Sequence, residues 1–589
     1  MRLVFDIEAD NLLFDVTKMH CIVAKDVDTK EIYKFEPWDI NEAVELLLKA
    51  DLLIGHNIVG YDIPALKKFY NFDYKGEVVD TLLLSKLRYP ERKSHSLASW
   101  GETINFPKLE FKEFEDYTQE MMDYCVNDVE LSFKVASVLM KRIDYRKDYV
   151  NLEKKVLEVQ TASEQFGVSF DYNEAMKIYT KIYQEMDDIY QSVSDKLGYA
   201  YTTKAHKLKK DGTLSHHAVN LLNTLEKTYP ELSPFNFKTE EGKSLISVPE
   251  KITLDTKKLL IEKLLELNWK PSMRTPKGSP KIADKGVVCE NIPEEFSDVG
   301  KYYVLKHRKA LLGGLFKIVR SDGKIASEAD TLGAVTGRYT HRGIANFPAV
   351  RSLYGSEIRA LFGVPDGYLQ VGSDLSGIEA RMLAHYMDDD EYTKEVLDGD
   401  IHTTNQNAAG LPTRDAAKTF FYGFLYGAGD EKVGSLVNGN AADGKKVKEK
   451  FLNNLPSLKR LIETKQKEAE KGYITSLDGR PVKITKSVGF DGVEQFDTRK
   501  ALNSLLQSSA TIYFKRWIVI IDELVKRNEL DVHLMISYHD EGQWAVAPKD
   551  VEKFKAILNK AIVMADQEYQ VKCPNACDIK VGKNWYDCH

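Results

Sequence analysis

Two sets of acidic residues, far apart in the chain, have spacings that suit metal-assisted chemistry. In the first, Asp6 and Glu8 are two apart in "LVFDIEAD", which reads as a strand, so both side chains leave one face. Asp62 follows "GHNIVGYD", where a strand runs out into a loop and then a helix. Tyr124 and Asp128 are four apart in the helical "YCVNDVE" and share a face. Four carboxylates from separate elements can hold two divalent cations about 4 Å apart, one to activate a water and one to steady a leaving oxygen. Oxygen ligands suit Mg²⁺ or Mn²⁺ better than zinc. Tyr124, one turn from Asp128, is placed to orient the attacking water.

In the second set, Asp374 ends the apolar run "YLQVGSD", and Ser376, Gly377 and Glu379 open the helix that follows. "LMISYHDEGQWAV" reads as a hairpin with His539, Asp540 and Glu541 at its turn. Two strand-end carboxylates, Asp374 and Asp540, are what a two-metal phosphoryl-transfer centre needs. Between them, Arg414, Lys418 and Tyr422 recur every four residues in "RDAAKTFFYGFLYGAG" and share a helix face, with Gly427 and Gly429 to end the helix. Two cations and an aromatic ring on one face can meet a triphosphate and a base. His402 in "GDIHTTNQ" adds a possible phosphate contact. Arg338 and Arg342 in "GAVTGRYTHRG", and Asn503 and Gln507 four apart in "NSLLQSSATIYFKRWI", can donate to the sequence-degenerate acceptors of a minor groove. Taken singly, each feature also has a structural reading: an exposed strand face, a solvated turn, a surface helix with an aromatic anchor.

The elements that position these residues follow from the pattern. Residues 1–145 alternate short apolar strands ("LVFDIEAD", "HCIVAKDVD", "DLLIGHN") with helical stretches, an α/β unit. Residues 146–200 carry long helical periodicity broken at Gly167. Residues 200–300 are rich in Lys, Thr, Ser, Pro and Gly, with nine Lys/Arg against four Asp/Glu from Lys251 to Lys285. That stretch reads as solvated loops or as a grip on a phosphate backbone. Residues 300–589 read as one elaborate unit with helices at 376–387, 413–425, 500–527 and 551–567. The length of 589 residues predicts roughly three to five domains. Hydrophobic residues at 43% and charged residues at 29% exclude a disordered or disulfide-scaffold chain. The net charge of −7 argues against a basic DNA coat but not against a basic groove. Six Cys fit a reducing compartment; no signal peptide and no apolar run of membrane length are expected.

"DIEAD", "HNIVGYDIPAL", "AVTGRYTH", "DLSGIEARMLAH", "GDIHTTNQ", "RDAAKTFFYGFLYGAG", "ALNSLLQSSA", "HDEGQ" and "GKNWYDCH" together resemble the family A DNA polymerases, above all the replicative polymerases of short-tailed bacteriophages. The first acidic set resembles the DEDDy type of 3′–5′ proofreading exonuclease. The resemblance implies a multidomain α/β and α+β chain. A ribonuclease H-like exonuclease occupies 1–145 and a connector and thumb 146–335. The palm takes 336–405 and 500–589, and the fingers 406–499. It implies that Asp6, Glu8, Asp62 and Asp128 bind metals and Tyr124 the water. Asp374 and Asp540 become the palm metal ligands with Glu541 in support. Arg414, Lys418, Tyr422 and His402 line the incoming nucleotide, and Glu379 is the steric gate against a ribose 2′-hydroxyl. Arg338, Asn503, Gln507 and His539 surround the primer terminus. Two Mg²⁺ ions, replaceable by Mn²⁺, are implied in each active site. The implied partners are primer–template DNA, dNTPs, a phage helicase–primase and a single-strand binding protein. The chain is expected to be a monomer in the cytoplasm of the host cell.

One departure bears on partners. About 85 residues separate the helix starting near Asp171 from that near Thr256. That leaves little room for the long thumb insertion with which some phage polymerases recruit thioredoxin, so no thioredoxin dependence is expected. The C-terminal Cys573, Cys577, Cys588 and His589 have poor spacing for zinc and are expected as free thiols. Two rival readings are a stand-alone 3′–5′ exonuclease with a nucleic-acid-binding C-terminal half, and an inactive architectural DNA-binding protein. The Arg414–Lys418–Tyr422 face argues against the first, and the two carboxylate sets against the second.

Overall fold

The computed structural model describes residues 1–588 except 276, 277, 285, 345, 346 and 489–491. His589 of the C-terminal cluster, and Lys277 and Lys285 of the basic stretch, therefore lie outside the described residues. The chain divides into two compact units. One comprises Met1–Ser169, Lys324–Ala345 and Gly363–His589; the other comprises Phe170–Gly323 and Asn346–Phe362.

The first unit begins with a five-stranded sheet of β1 (Arg2–Ala9), β2 (Met19–Asp26), β3 (Ile32–Phe35), β4 (Leu52–Gly55) and β5 (Glu77–Asp80), in the order β3–β2–β1–β4–β5. β1 is central, antiparallel to β2 and parallel to β4. Alternation along β1 builds two cores. Leu3, Phe5 and Ile7 pack with residues of α1 (Ile40–Leu48) and α2 (Asp62–Phe69). Val4 turns to the opposite face, against α3 (Gln119–Leu139). Thr118 caps α3 through its side chain, and Met121, Cys125, Val129, Val135 and Leu139 form its buried stripe. α4 (Asp148–Phe166) then leads away from this domain.

The second unit contains two long helices, α5 (Tyr172–Leu197) and α7 (Asp298–Leu315), which pack together. Between them, the Lys-rich stretch expected as loop is folded. β6 (Tyr199–Lys207), α6 (His216–Thr228), β7 (Phe237–Glu240) and β8 (Lys243–Lys251) form a three-stranded sheet, ordered β6–β8–β7, with one helix. Its small core holds Ala218, Leu225 and Ile246. "YAYTTKAHK" of β6 is half-buried or exposed throughout, so the apolar–polar alternation that marks a strand is missing from its sequence.

The C-terminal part of the first unit is built on a four-stranded antiparallel sheet of β9 (Leu369–Leu375), β10 (Val532–Tyr538), β11 (Glu541–Val546) and β12 (Cys577–Gly582), in the order β10–β11–β9–β12. The helices α8 (Ile378–Met387), α9 (Arg414–Leu425), α10 (Ala501–Arg527) and α11 (Val551–Tyr569) begin and end within two residues of the positions read from periodicity. The largest core runs from this sheet through α10, which is buried along most of its length. No helix among the described residues is long and apolar enough to cross a membrane. Cys573, Cys577 and Cys588 are free, and burial pushes all three thiols up.

Candidate functional site

The first carboxylate set converges at the α3 side of β1. Asp6 and Glu8 leave the face that α3 covers, and Cys125 of α3 donates its thiol to the Asp6 carbonyl at 3.6 Å. Asp62 is the first residue of α2 and accepts from the Ile7 amide at 3.2 Å, which ties it to β1. Asp128 sits in the buried stripe of α3, where an apolar residue would ordinarily stand. One of its oxygens, Oδ2, pairs with Lys108; the other, Oδ1, is buried without a hydrogen-bond partner. Glu8, Asp62 and Asp128 are all buried. Burial pushes the Glu8 carboxyl up to about 9, with Asp128 and Cys21 adding to the effect. Burial likewise lifts Asp62 to about 7 and raises Asp6, the latter helped by Asp62, Glu8 and Asp128. Buried acids this close can all ionise only if a cation joins them. The donor set is chiefly carboxylate oxygen, which fits Mg²⁺ or Mn²⁺. Tyr124 packs against Phe111 and Phe114, and the Lys108 ammonium lies 4.7 Å from its ring centre.

Two members of this site have no motif in the sequence. Lys108 comes from the loop before α3. Asp80, at the end of β5, is buried and accepts the amides of Asn57, Val59 and Leu82 at 3.0, 3.1 and 2.9 Å. These bonds hold the loop between β4 and α2, and so set where Asp62 begins its helix. A run of backbone acceptances to one carboxylate leaves no spacing signature.

The second set forms at one end of the four-stranded sheet. Asp374 is paired across β9 and β11 with Glu541, and across β9 and β12 with Asp578. The Leu375 amide donates to the Asp540 carbonyl at 3.1 Å, fixing the hairpin turn beside Asp374. His539 takes the left-handed conformation at φ 58°, unusual for a residue other than glycine, to make that turn. Asp374 is exposed, yet partial desolvation and the charges of Asp540, Glu541 and Asp578 push its carboxyl up to about 7. Desolvation also raises Asp540. Carboxylates crowded at a strand end again fit a cation, and Asp374 is open to solvent. Glu541 is buried instead. Its Oε1 accepts from Trp585 Nε1 at 2.7 Å and from Gln543 Nε2 at 2.6 Å, and Gln370 Nε2 in turn donates to Gln543 Oε1 at 2.7 Å.

α9 places Tyr422 where the charges of Glu379 and Asp540 act on it. Thr413 caps the helix, and Ala417, Phe420, Phe421 and Leu425 bury one side. Arg414, Lys418 and Tyr422 are left on another. Arg414 makes a two-pronged pair with Asp400, Nε to Oδ2 at 2.6 Å and Nη2 to Oδ1 at 3.1 Å. Lys418 is exposed. His402 lies 6.0 Å from Tyr422, ring centre to ring centre, and burial with the charges of Arg414 and Lys418 lowers its pKa. Tyr426, not singled out in the sequence, continues the four-residue spacing. Its hydroxyl donates to both oxygens of Glu379, at 2.8 and 2.7 Å, and Arg338 Nη2 donates to Glu379 Oε1 at 3.0 Å. His341, also missed, stacks on Tyr339 with both ring nitrogens buried and unpartnered. Asn503 and Gln507 are half-buried on α10. The loop bearing Arg338 is anchored from below, where Lys515 Nζ donates to the Thr331 carbonyl at 2.7 Å and pairs with Glu153 at 2.6 Å in the core.

A fold of this kind, with two clustered carboxylate centres in one chain, defines a class that comparison with known proteins resolves. Residues 236–587, more than half of the chain, match the family described as DNA polymerase family A. The chain belongs to that family. It is 30% identical over 721 aligned positions to a DNA-directed DNA polymerase of Enterobacteria phage T3, and 29% identical over 721 to one of Escherichia phage T7, in both cases covering all of both chains. Its fold is similar to that of a solved structure, the POL domain of Pol1 from M. smegmatis in complex with DNA primer–template and dNTP. The TM-score is 0.75 at 18% identity, over 100% of this chain and 96% of that one.

Proposed function

We propose that the chain extends a primer 3′ end on a DNA template with dNTPs and trims it with a separate 3′–5′ exonuclease centre, in the replication of a phage genome. The first activity is that of a DNA-directed DNA polymerase, as in the phage T3 and T7 relatives that align end to end. The observation that carries the polymerase site is the junction of Asp374 and Asp540 through the Leu375–Asp540 backbone bond, with Tyr422 of α9 in electrostatic reach of Asp540. In this reading the palm is 336–405 and 500–589, the fingers 406–499 and the connector and thumb 146–335. The rival reading as an exonuclease with a merely binding C-terminal half gives way to the family membership.

Asp374 and Asp540 would hold the two metal ions. Bound there, Mg²⁺ ions supply positive charge to the attacking 3′ oxygen and to the departing pyrophosphate. Glu541, pinned by Trp585 and Gln543, keeps the floor of the site anionic. Arg414 and Lys418 meet the triphosphate, so Arg414 must leave Asp400 when a nucleotide binds. Tyr422 packs on the sugar and base. Glu379, held by Tyr426 and Arg338, presents a fixed wall to the ribose 2′ position. Asn503, Gln507, Arg338 and His539 address the terminal base pair by acceptors common to all sequences.

The exonuclease reading is supported by three buried carboxylates, Glu8, Asp62 and Asp128, with the half-buried Asp6 beside them, an acidic cluster that a bound cation would stabilise. Asp6, Glu8, Asp62 and Asp128 would hold it, Tyr124 would orient the water, and Lys108 would release Asp128. Two ions there, the DEDDy assignment, monomeric behaviour, independence from thioredoxin, and work beside a helicase–primase and a single-strand binding protein in the host cytoplasm belong to the same proposal. The test is primer extension with each dNTP omitted in turn, followed by degradation of the same primer without dNTPs. Absence of dNTP-dependent extension would reject the polymerase site; absence of shortening would reject the exonuclease site.

A further inference from the structure

A lysine stands inside the N-terminal carboxylate centre, and the loop that carries it is fastened so as to keep it there. Lys108 pairs with Asp128 Oδ2, and its ammonium lies 4.7 Å from the Tyr124 ring centre. Its charge also acts on Asp6 and Glu8. The backbone on either side of the lysine is tied to one side chain. Asn127, the neighbour of Asp128 on α3, accepts the Leu109 amide at 3.0 Å and donates to the Pro107 carbonyl at 3.5 Å. The loop also lies tight against Gly101 of the helix Leu97–Thr103. A Cβ there would meet the Phe106 carbonyl oxygen at 2.6 Å and the Lys108 nitrogen at 3.2 Å. Phe111, three residues on, packs on Tyr124 with ring centres 5.6 Å apart. The backbone of Lys108 is thus fixed, and its flexible four-carbon stem is the part that can turn.

A lasting pair with Asp128 does not serve a carboxylate that has to hold a cation, because ammonium and metal ion compete for one oxygen. Side-chain exposure falls from 24% at Lys108 to 5% at Asp128, so the lysine is the solvent-facing member of the pair. A phosphate entering beside Tyr124 comes within its reach. We propose that Lys108 is a catalytic residue of the trimming reaction. When a cation joins the carboxylates, the ammonium leaves Asp128 and hydrogen-bonds a non-bridging oxygen of the scissile phosphate. It gives up no proton. The water oxygen bonds to phosphorus as the bond from phosphorus to the 3′ oxygen breaks. One water proton ends on that 3′ oxygen, and the other goes to the released phosphate or to solvent. Negative charge grows on the non-bridging oxygens as the water adds, and a positioned ammonium stabilises it more than it stabilises the ground state. Without a primer end, the same lysine lowers the affinity of the carboxylates for a cation. The inference rests on reading Asp6, Glu8, Asp62 and Asp128 as the exonuclease centre.

The test compares the full chain with Lys108→Gln and Lys108→Arg in two measurements. One is Mn²⁺ binding without DNA, read from the paramagnetic resonance of the free ion, the N-terminal sites being those that Asp6→Ala removes. The other is the single-turnover rate of primer shortening at saturating Mg²⁺. Lys108→Gln should bind Mn²⁺ more tightly yet shorten the primer about a hundredfold more slowly. Lys108→Arg, which keeps the charge, should recover most of the rate. A primer whose last linkage is a neutral methylphosphonate, in one of its two configurations, probes the contact itself. Its rate penalty should be about tenfold smaller in Lys108→Gln than in the unaltered chain, the mark of a contact already lost. A rate unchanged or raised by Lys108→Gln would make the lysine only a partner of Asp128 and overturn the inference, as would equal methylphosphonate penalties. Shortening that is absent from the unaltered chain, or that survives Asp6→Ala, overturns the exonuclease reading and the inference with it.

Discussion

The two carboxylate centres differ in how far they are withdrawn from water. In the N-terminal domain, Glu8, Asp62 and Asp128 are buried, and a lysine already stands against one of them. In the four-stranded sheet, Asp374 is exposed and Asp540 half-buried. The first is held by side-chain and backbone hydrogen bonds from three elements. The second is held by strand register and a strained two-residue turn. In the proposed reading the difference suits the two tasks: a centre that would receive only a frayed single-strand end can be deep, and one that would admit a duplex, a template base and a triphosphate has to be open, with Arg414 released from Asp400 to complete it.

If the centres are independent, single substitutions should separate them. Asp540→Asn should lower nucleotide addition by about a thousandfold, since several kcal/mol of transition-state stabilisation is lost, while primer shortening persists. Asp6→Ala should do the reverse. Assaying both activities of both variants on one primer–template checks this, and an equal loss of both activities in either variant would sink the separation. Glu153→Gln lies outside both carboxylate sets and should act on stability instead. It strips a buried partner from Arg480 and Lys515, and loss of about 3–5 kcal/mol should appear as a lower Tm with neither activity selectively affected.

Smaller effects sharpen the contrast. Trp585→Phe keeps an aromatic ring, though one smaller than the fully buried indole, and removes the donor to Glu541, worth about 1.5–3 kcal/mol to a charged group. Its kcat for nucleotide addition should fall about ten- to a hundredfold with little change in KM for dNTP; an unchanged kcat would show that Glu541 needs no such support. A further contrast is in pH. The folded-state carboxyls of Asp62 and Glu8 are raised to about 7 and about 9. Between about pH 4 and 9, with no divalent ion, the folded chain thus binds more protons than the unfolded chain, and stability falls as pH rises. Melting in EDTA across that range should show the decline, Mg²⁺ should relieve it at the alkaline end, and Glu8→Gln should flatten it. A melting curve indifferent to Mg²⁺ would argue against a cation among these residues.

Much of this was readable from the residues. Apolar runs and helical periodicity located the strands that carry Asp6 and Asp374 and the helices that carry Asp128 and Arg414. Chemistry concentrated at strand ends and on one helix face leaves a spacing. Tyr426 had that spacing too, four beyond Tyr422, but the glycines that follow drew attention as a helix stop. Asp80, Lys108 and Trp585 act through single long-range contacts, from a strand end, a loop and the C-terminal tail, which no local pattern records. The module at 199–251 escaped because β6 and β7 are largely polar and exposed and its core is only a few residues. The chain also aligns end to end with phage relatives over more positions than it has residues, consistent with a compact member of the family.

Synthesis and trimming by one chain, as proposed, require two separate cation centres. Anomalous diffraction from Mn²⁺ in crystals of the full chain with a dideoxy-terminated primer–template and an incoming dNTP addresses both at once. The result expected is Mn²⁺ at Asp374 and Asp540 and, separately, at Asp6, Glu8, Asp62 and Asp128, with Lys108 displaced from Asp128. Mn²⁺ at only one of the two centres, or Lys108 still paired with Asp128 beneath an ordered ion, would contradict it.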